Sequence, residues 1–331
     1  MKLFMNTLCF LIIVCLISSC SGSGIDPMPM DSKEPGWHAG QISHDGLERV
    51  YRFYIPEDLP ENPSVVVLLH GGTQSMDAIF RANAGGTREW PAVAEDEKFL
   101  LVVPNGTHID DGSPEGDNQI WNDCRMPTVE PVTRSQADDV GFISALVDWT
   151  HTQFQINREN VFVTGASNGA RMSYSIAMEQ PELIKAAAVF IANLSKEREC
   201  EEAQSPVPML IMNGTEDPIN PYEGGATDGR GEVLSAEETR DYWIAVNGAD
   251  AGSKEVTELP DRDPSDGSEI TCEFYTVTTA GAPVRFCTVE GGGHTIPSIE
   301  HTLPRFITRI LGPQNQDVEG ARLAWEFFSA Q

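Results

Sequence analysis

Basic residues are scarce in this chain. Twenty-two Lys and Arg stand against 50 Asp and Glu over 331 residues, a formal net charge of −28. Nucleic acids are held by dense cationic patches, so this balance excludes them as partners and argues against docking on anionic lipid headgroups. It also repels polyanionic substrates and leaves neutral ones favoured. No apolar run approaches the roughly 20 residues of a spanning helix; Leu8 to Ile17 has ten. Dinucleotide fingerprints, phosphate loops and zinc-spaced Cys/His sets are missing, so no cofactor and no metal is implied. The acidic stretches at 261–266 and at Asp110, Asp111 and Asp117 lack the spacing of an ion loop and read as solvated turns.

The amino-terminal end has its own pattern. Residues 1–19 carry one charge, Lys2, and a ten-residue apolar core, the length of a signal-peptide core. The core closes on Ile17-Ser18-Ser19-Cys20, which resembles a bacterial lipobox and implies cleavage before Cys20 and its acylation; Ser21 resembles an outer-membrane sorting residue in diderm bacteria. Residues 20–40, rich in Gly, Ser and Pro, are expected to be a flexible tether holding the protein about 20 Å from the lipid surface. Membrane attachment would then run through the lipid on Cys20. Residues 41–331 are long enough for one α/β domain, and nothing in them repeats.

Of seven cysteines, Cys9 and Cys15 leave with the signal and Cys20 takes the lipid. Cys272 and Cys287 flank a strand-turn-strand pattern around Ala280-Gly281 at nearly opposite positions, so a 272–287 bridge is expected, leaving Cys124 and Cys200 to pair.

The strand and helix signals alternate. Arg49–Ile55 has half-buried alternation and reads as the first, antiparallel strand; 64–69, 99–103, 161–166, 187–191 and 207–212 are apolar runs of the buried parallel type. Helices are expected at 92–98, 138–154, 236–246, where Ser235 and Glu238 form a capping box, and 318–328. This rhythm predicts a doubly wound, mostly parallel sheet. Segments 106–136, 214–234 and 260–269 break it. The first two leave strand ends, so they are expected to line a cleft with Trp121 and Tyr222 as apolar contacts.

Four of the loops leaving strands carry chemistry. Val161 to Met172 reads VFVTGASNGARM, a strand, a G-x-S-x-G turn and a helix, the setting of a nucleophilic serine on a strained elbow. Side chains at Gly165 and Gly169 would collide as strand and helix pack, and Ser167 is the candidate nucleophile. Upstream, Leu69 is followed by His70-Gly71-Gly72-Thr73, where the N–H of Gly72 or Thr73 can face a developing oxyanion, with the N–H of Asn168 as second donor. His70 is expected to tie down that loop. Downstream, Asn213-Gly214-Thr215-Glu216-Asp217 offers Asp217 as the acid, in preference to Glu216, and Gly291-Gly292-Gly293-His294 offers the base.

LLHGGTQ, PNG with Trp121-Asn122, ADDVGF at Ala137–Phe142, NRENVFVTGASNGA, NGTEDPINPYEGG, GGGHTIPS and DVEGARLAWEFF together resemble the poly(3-hydroxybutyrate) depolymerase and feruloyl or acetylxylan esterase family of α/β-hydrolases, over roughly Val50 to Phe328. The resemblance implies a serine carboxylesterase acting on oligomeric or polymeric esters, with Ser167, Asp217 and His294 as its triad and an oxyanion loop at Gly72. Ile296 stands where the family pattern carries Trp. A peptidase of this fold is the rival activity, but no propeller-like repeat array accompanies the motifs. A binding lipoprotein is the rival class, and it would have lost a triad member.

The anchor is testable. Cys20→Ser is expected to release the protein or stall its processing, and intact mass of the wild type should give an acylated Cys20; a free Cys20 or a start further downstream would remove the anchor.

Overall fold

A computed structural model of the chain describes residues 33–126, 135–227, 231–277 and 280–331. The signal-like segment, Cys20 and residues 20–32 of the expected tether lie outside the described residues.

The runs 65–69, 100–104, 161–166, 186–190 and 209–214 are buried at every position, as strands covered on both faces must be. They form the middle of a ten-stranded sheet: β1 (Gly36–His44), β2 (Leu47–Ile55), β3 (Val65–Leu69), β4 (Leu100–Pro104), β5 (Val161–Ala166), β6 (Ala186–Phe190), β7 (Met209–Gly214), β8 (Glu255–Glu258), β9 (Glu269–Tyr275) and β10 (Val284–Glu290). Their spatial order is β1-β2-β4-β3-β5-β6-β7-β10-β9-β8. The six strands from β4 to β10 in that order run parallel, and the flanking pairs are antiparallel. The α-helices among the described residues are α1 (Trp90–Glu97), α2 (Asp139–Phe154), α3 (Asn168–Glu179), α4 (Ala236–Asn247), α5 (Arg305–Leu311) and α6 (Gly320–Ser329).

Side-chain alternation along β3 divides the core. Val65, Val67 and Leu69 join a cluster with Phe142, Trp149, Tyr174 and Trp243 of α2, α3 and α4, whereas Val66 and Leu68 join Trp90 of α1 and Phe327 and Phe328 of α6. Helices therefore cover both faces, and the architecture is the doubly wound, mostly parallel sheet that the alternating pattern predicts and the α/β-hydrolase fold that the resemblance implies. Local signals hold at the helix starts. Ser235 and Glu238 make the reciprocal capping box of α4, and Asp138 caps α2 by accepting from Gly141 N at 2.9 Å. Asp139, the first residue of α2, reaches further: its carboxylate meets the fully buried Arg49 at 2.6 Å and accepts from Asn122 N at 2.7 Å.

Several expectations need correction. Arg49–Ile55 lies in the second strand, because β1 precedes it and pairs with β2 from Gly36 onward; residues 36–40 therefore belong to the sheet and not to a tether. Helix α5 was not anticipated, since its RFITRIL sequence has no cap signal and none of its residues is buried. The irregular segments after Gly106 and Gly214 each fold back as a two-stranded hairpin, 107–108 with 119–120 and 225–227 with 231–233. The Cys272–Cys287 bridge is present, its residues directly opposite across β9 and β10. The Cys124–Cys200 pairing is not: both are free thiols. Cys124 Sγ donates to Glu179 Oε1 at 3.0 Å, and Cys200 Sγ turns toward Met178 Sδ at 3.9 Å.

A Cβ on Gly169 would lie 2.4 Å from Leu69 O and 2.5 Å from His70 O, both backbone atoms. Gly169→Ala is therefore expected to destabilise by about 1–3 kcal/mol, the range of overpacked cores. Thermal unfolding measures it, and an unchanged midpoint would contradict the close packing of β3 against α3.

Candidate active site

Parallel strands deliver the motif residues to one edge. The carboxyl ends of β3, β5, β7 and β10 release His70-Gly71-Gly72, Ser167, the Thr215–Asn220 loop and the Gly291–His294 loop, the edge at which open α/β sheets bind ligands.

Ser167 joins β5 to α3 with φ 55° and ψ −117°, a conformation that L-residues with a Cβ rarely adopt. It is clamped by its own N–H, which donates to Phe190 O at 3.0 Å, and by Gly165 and Gly169, which leave no room for a Cβ between strand and helix. Thr73 and Ile191 also have positive φ, 58° and 53°, and both share the walls of one cavity with Ser167 and His294. Three of the nine non-glycine residues with positive φ among the described residues thus border this cavity, which measures about 470 Å³.

The acid and the imidazole meet. His294 Nδ1 lies 2.7 Å from Asp217 Oδ2, with both side chains buried. The second carboxylate oxygen, Oδ1, accepts from Ile219 N and Asn220 N, each at 2.8 Å, so the carboxylate is fixed on both sides. Backbone contacts hold the imidazole from behind: Gly293 N donates to Pro313 O at 2.7 Å and His294 N to Leu311 O at 2.5 Å. Glu216, next to Asp217, is exposed.

Of the expected oxyanion donors, Thr73 is already engaged, since its N–H donates to Gln119 O at 2.8 Å. Gly72 and Asn168 remain, and they are neighbours: a Cβ on Gly72 would sit 3.5 Å from Asn168 Cβ. The Asn168 amide holds its own backbone in place, accepting from Trp121 N at 2.7 Å and donating to Asp123 Oδ2 at 2.7 Å. Burial pushes the Asp123 carboxyl up, but Arg125, Arg171 and the Asn168 amide outweigh it and hold it below the usual carboxylate range. His70 is fully buried. Burial lowers its pKa to about 4, leaving a neutral ring whose Nδ1 donates to Gly71 O at 2.7 Å and whose Nε2 accepts from Gly106 N at 2.9 Å. It braces the Gly71–Gly72 turn, as the sequence suggests.

The aromatic cleft contacts do not survive. Trp121 is 1% exposed and packs in the core with its Nε1 donating to His70 O at 2.9 Å; it holds the loop and does not face the cavity. Tyr222 is half-buried, and its hydroxyl bonds Thr288 Oγ1 at 2.8 Å, away from the cavity walls. Trp121 is part of the core cluster on the α2, α3 and α4 side, and Tyr222 packs against it. In their place Ile191, Ile219, Ile296, Leu303 and Leu311 supply the apolar wall, and Arg81 and Asp117 stand as an ion pair at 2.6 Å on its polar side. Leu303 precedes α5 and Leu311 ends it, and the weak signal of that helix hid them. The Asp123, Asn193, Asn220 and Arg171 framework also escaped sequence reasoning; the one visible sign was an arginine inside the otherwise uncharged run after Ser167.

A model of the phospholipase/carboxylesterase family matches residues 54–231. Acetylxylan esterase A of Talaromyces purpureogenus is 28% identical over 137 residues, 41% of this chain and 32% of that protein, so the chain aligns with only about a third of that relative's length. A protein of Aspergillus niger named "Probable feruloyl esterase C" is 26% identical over 286 residues, 85% of this chain and 84% of its own. Among solved structures, an acetyl xylan esterase from Aspergillus awamori superposes with a TM-score of 0.53 at 19% identity, covering 79% of this chain and 95% of that one; this is a likeness of fold.

The two adjacent acids are separable. Asp217→Asn keeps the shape but disfavours the imidazole tautomer and cation that Asp217 Oδ2 would support, and is expected to lower p-nitrophenyl ester turnover by about 10⁴-fold. Glu216→Gln is expected to leave it near wild type. A crippled Glu216→Gln beside an active Asp217→Asn would reverse the assignment.

Proposed function

Because the chain belongs to the phospholipase/carboxylesterase family, we propose that it is a serine carboxylesterase working through an acyl-enzyme. The observation that carries this reading is the buried Asp217–His294 pair opening onto the same cavity as Ser167 on its strained elbow. In this mechanism Ser167 Oγ attacks the ester carbonyl while His294 Nε2 takes its proton. Asp217 holds Nδ1–H and stabilises the imidazolium. The N–H groups of Gly72 and Asn168 receive the tetrahedral oxyanion, His294 returns the proton to the leaving alcohol, and water repeats the sequence on the acyl-enzyme.

Substrate reading follows from the walls. Among the described residues no Phe, Tyr or Trp lines the cavity, and its apolar side is branched aliphatic. That favours short acyl groups, acetyl or hydroxyalkanoyl, over a feruloyl ring, which would find no aromatic face to pack on. Polymer side-chain esters or short hydroxyacid oligomers fit this reading. The Cys272–Cys287 bridge supports an extracytoplasmic setting, where disulfides persist.

Ser167→Ala removes one hydroxyl and is expected to abolish ester hydrolysis with an unchanged unfolding midpoint; near-wild-type turnover would end the assignment. On a panel of acetyl, 3-hydroxybutyryl and feruloyl esters, kcat/KM for the feruloyl ester should be lower by about 2- to 13-fold, the equivalent of an aromatic contact of about 0.5–1.5 kcal/mol. A preference for the feruloyl ester would overturn the short-acyl reading.

A further inference from the structure

Helix α3 is buried from Asn168 to Met178, and this stretch contains a single cation, Arg171. A guanidinium placed there is expensive to desolvate and must be met by partners. It begins one turn after the nucleophile, its N–H donating to Ser167 O at 3.0 Å. Arg171 Nη2 donates to Asn220 Oδ1 at 2.8 Å. The same Oδ1 accepts from Asn193 N at 3.1 Å, so the Asn220 side chain is held between α3 and the loop after β6. Asn220 N in turn donates to Asp217 Oδ1 at 2.8 Å, and Asp217 Oδ2 meets His294 Nδ1 at 2.7 Å. On its other side the Arg171 charge acts on Asp123, which accepts from the Asn168 amide at 2.7 Å.

We infer that Arg171 is a positioning residue that ties the acid's turn to the elbow helix, reaching the Asp217 carboxylate through Asn220. The role rests on the esterase reading above. Arg171 touches no reacting atom. Its fork orients the Asn220 amide, the amide fixes the turn of residues 217–220, and that turn decides which carboxylate oxygen faces His294. Lysine would keep the charge but lose the planar fork that sets the amide.

The test compares Arg171→Met, Arg171→Lys and Asn220→Ala with wild type in p-nitrophenyl acetate hydrolysis, with active centres counted by stoichiometric phosphonylation. Per active centre, Arg171→Met and Asn220→Ala should each lower kcat by about 10–100-fold with KM within about twofold, as expected of a loss felt in the transition state. Arg171→Lys should fall between, and the double variant should be no worse than the poorer single, since the two residues act as one unit. The downfield proton resonance of His294 Nδ1, read without substrate, should broaden or move upfield in the same variants. A folded Arg171→Met with wild-type kcat and an unmoved resonance would overturn the inference, as would losses that multiply in the double variant. If Arg171→Met does not fold, Asn220→Ala decides alone, and wild-type turnover there overturns it. Wild-type protein that hydrolyses no ester would sink the esterase reading, and the resonance would still judge the positioning role.

Discussion

Everything at the edge that carries the candidate site depends on how closely α3 approaches β3 and β5. Gly169 lies against Leu69 O and His70 O, and Gly165 against the Gly169 backbone, at distances that exclude any Cβ. That contact forces the turn between strand and helix into the unusual φ/ψ of Ser167. The strain, of order 1–3 kcal/mol for such a residue, persists because hydrogen bonds on both sides leave the turn no alternative. A more relaxed elbow would lower the serine into the sheet and separate it from the loops that carry Gly72 and His294.

Beneath the elbow lies a polar layer that the apolar sheet could not supply. The neutral His70 ring bridges Gly71 O and Gly106 N, the Asn168 amide grips Trp121 and Asp123, and the Arg49–Asp139 pair ties β2 to the start of α2. Burial raises the Asp139 carboxyl and Arg49 opposes it. Each of these groups would be costly if left without a partner. Together they explain how loops at a strand edge keep fixed shapes without regular secondary structure. Rigid loops matter because displacement of a donor or an imidazole by about 1 Å is enough to lose much of a site's rate advantage.

Legibility in the sequence followed the range of the interaction involved. Strands buried on both faces announce themselves as unbroken apolar runs, and the Ser235–Glu238 capping box is a local contract between neighbours; both were readable, as were the loops that hold Ser167, Asp217 and His294. What failed depended on distant partners. Trp121 looked like a cleft aromatic because its loop is long, yet the hairpin at 107–120 and the Asn168 amide draw it into the core. Thr73 looked like an oxyanion donor until Gln119, 46 positions on, took its N–H. The Cys124–Cys200 pairing came from counting thiols, and counting cannot see whether two sulfurs bond: they lie within 4.8 Å of each other beside the Glu179 carboxylate, yet both are free. The apolar α5 lacked both a cap and a buried face, so no period marked it.

Charge and cavity chemistry converge on the same kind of ligand. The chain carries a net charge of −28, and its overall field disfavours anions approaching any part of the surface. The cavity does not reverse that preference. Among the described residues Arg81 is the one permanent cation in its walls, and Asp117 already faces it at 2.6 Å while also accepting from Ser75 Oγ at 2.7 Å. The pair is half-exposed, so solvent and salt screen it, and it is better suited to exchanging hydrogen bonds with hydroxyl groups than to capturing a carboxylate. Opposite it stand the isoleucines and leucines. A cavity with a hydroxyl-compatible polar side and a branched aliphatic side supports the short-acyl reading proposed above, and Ile296 gives its wall no aromatic surface.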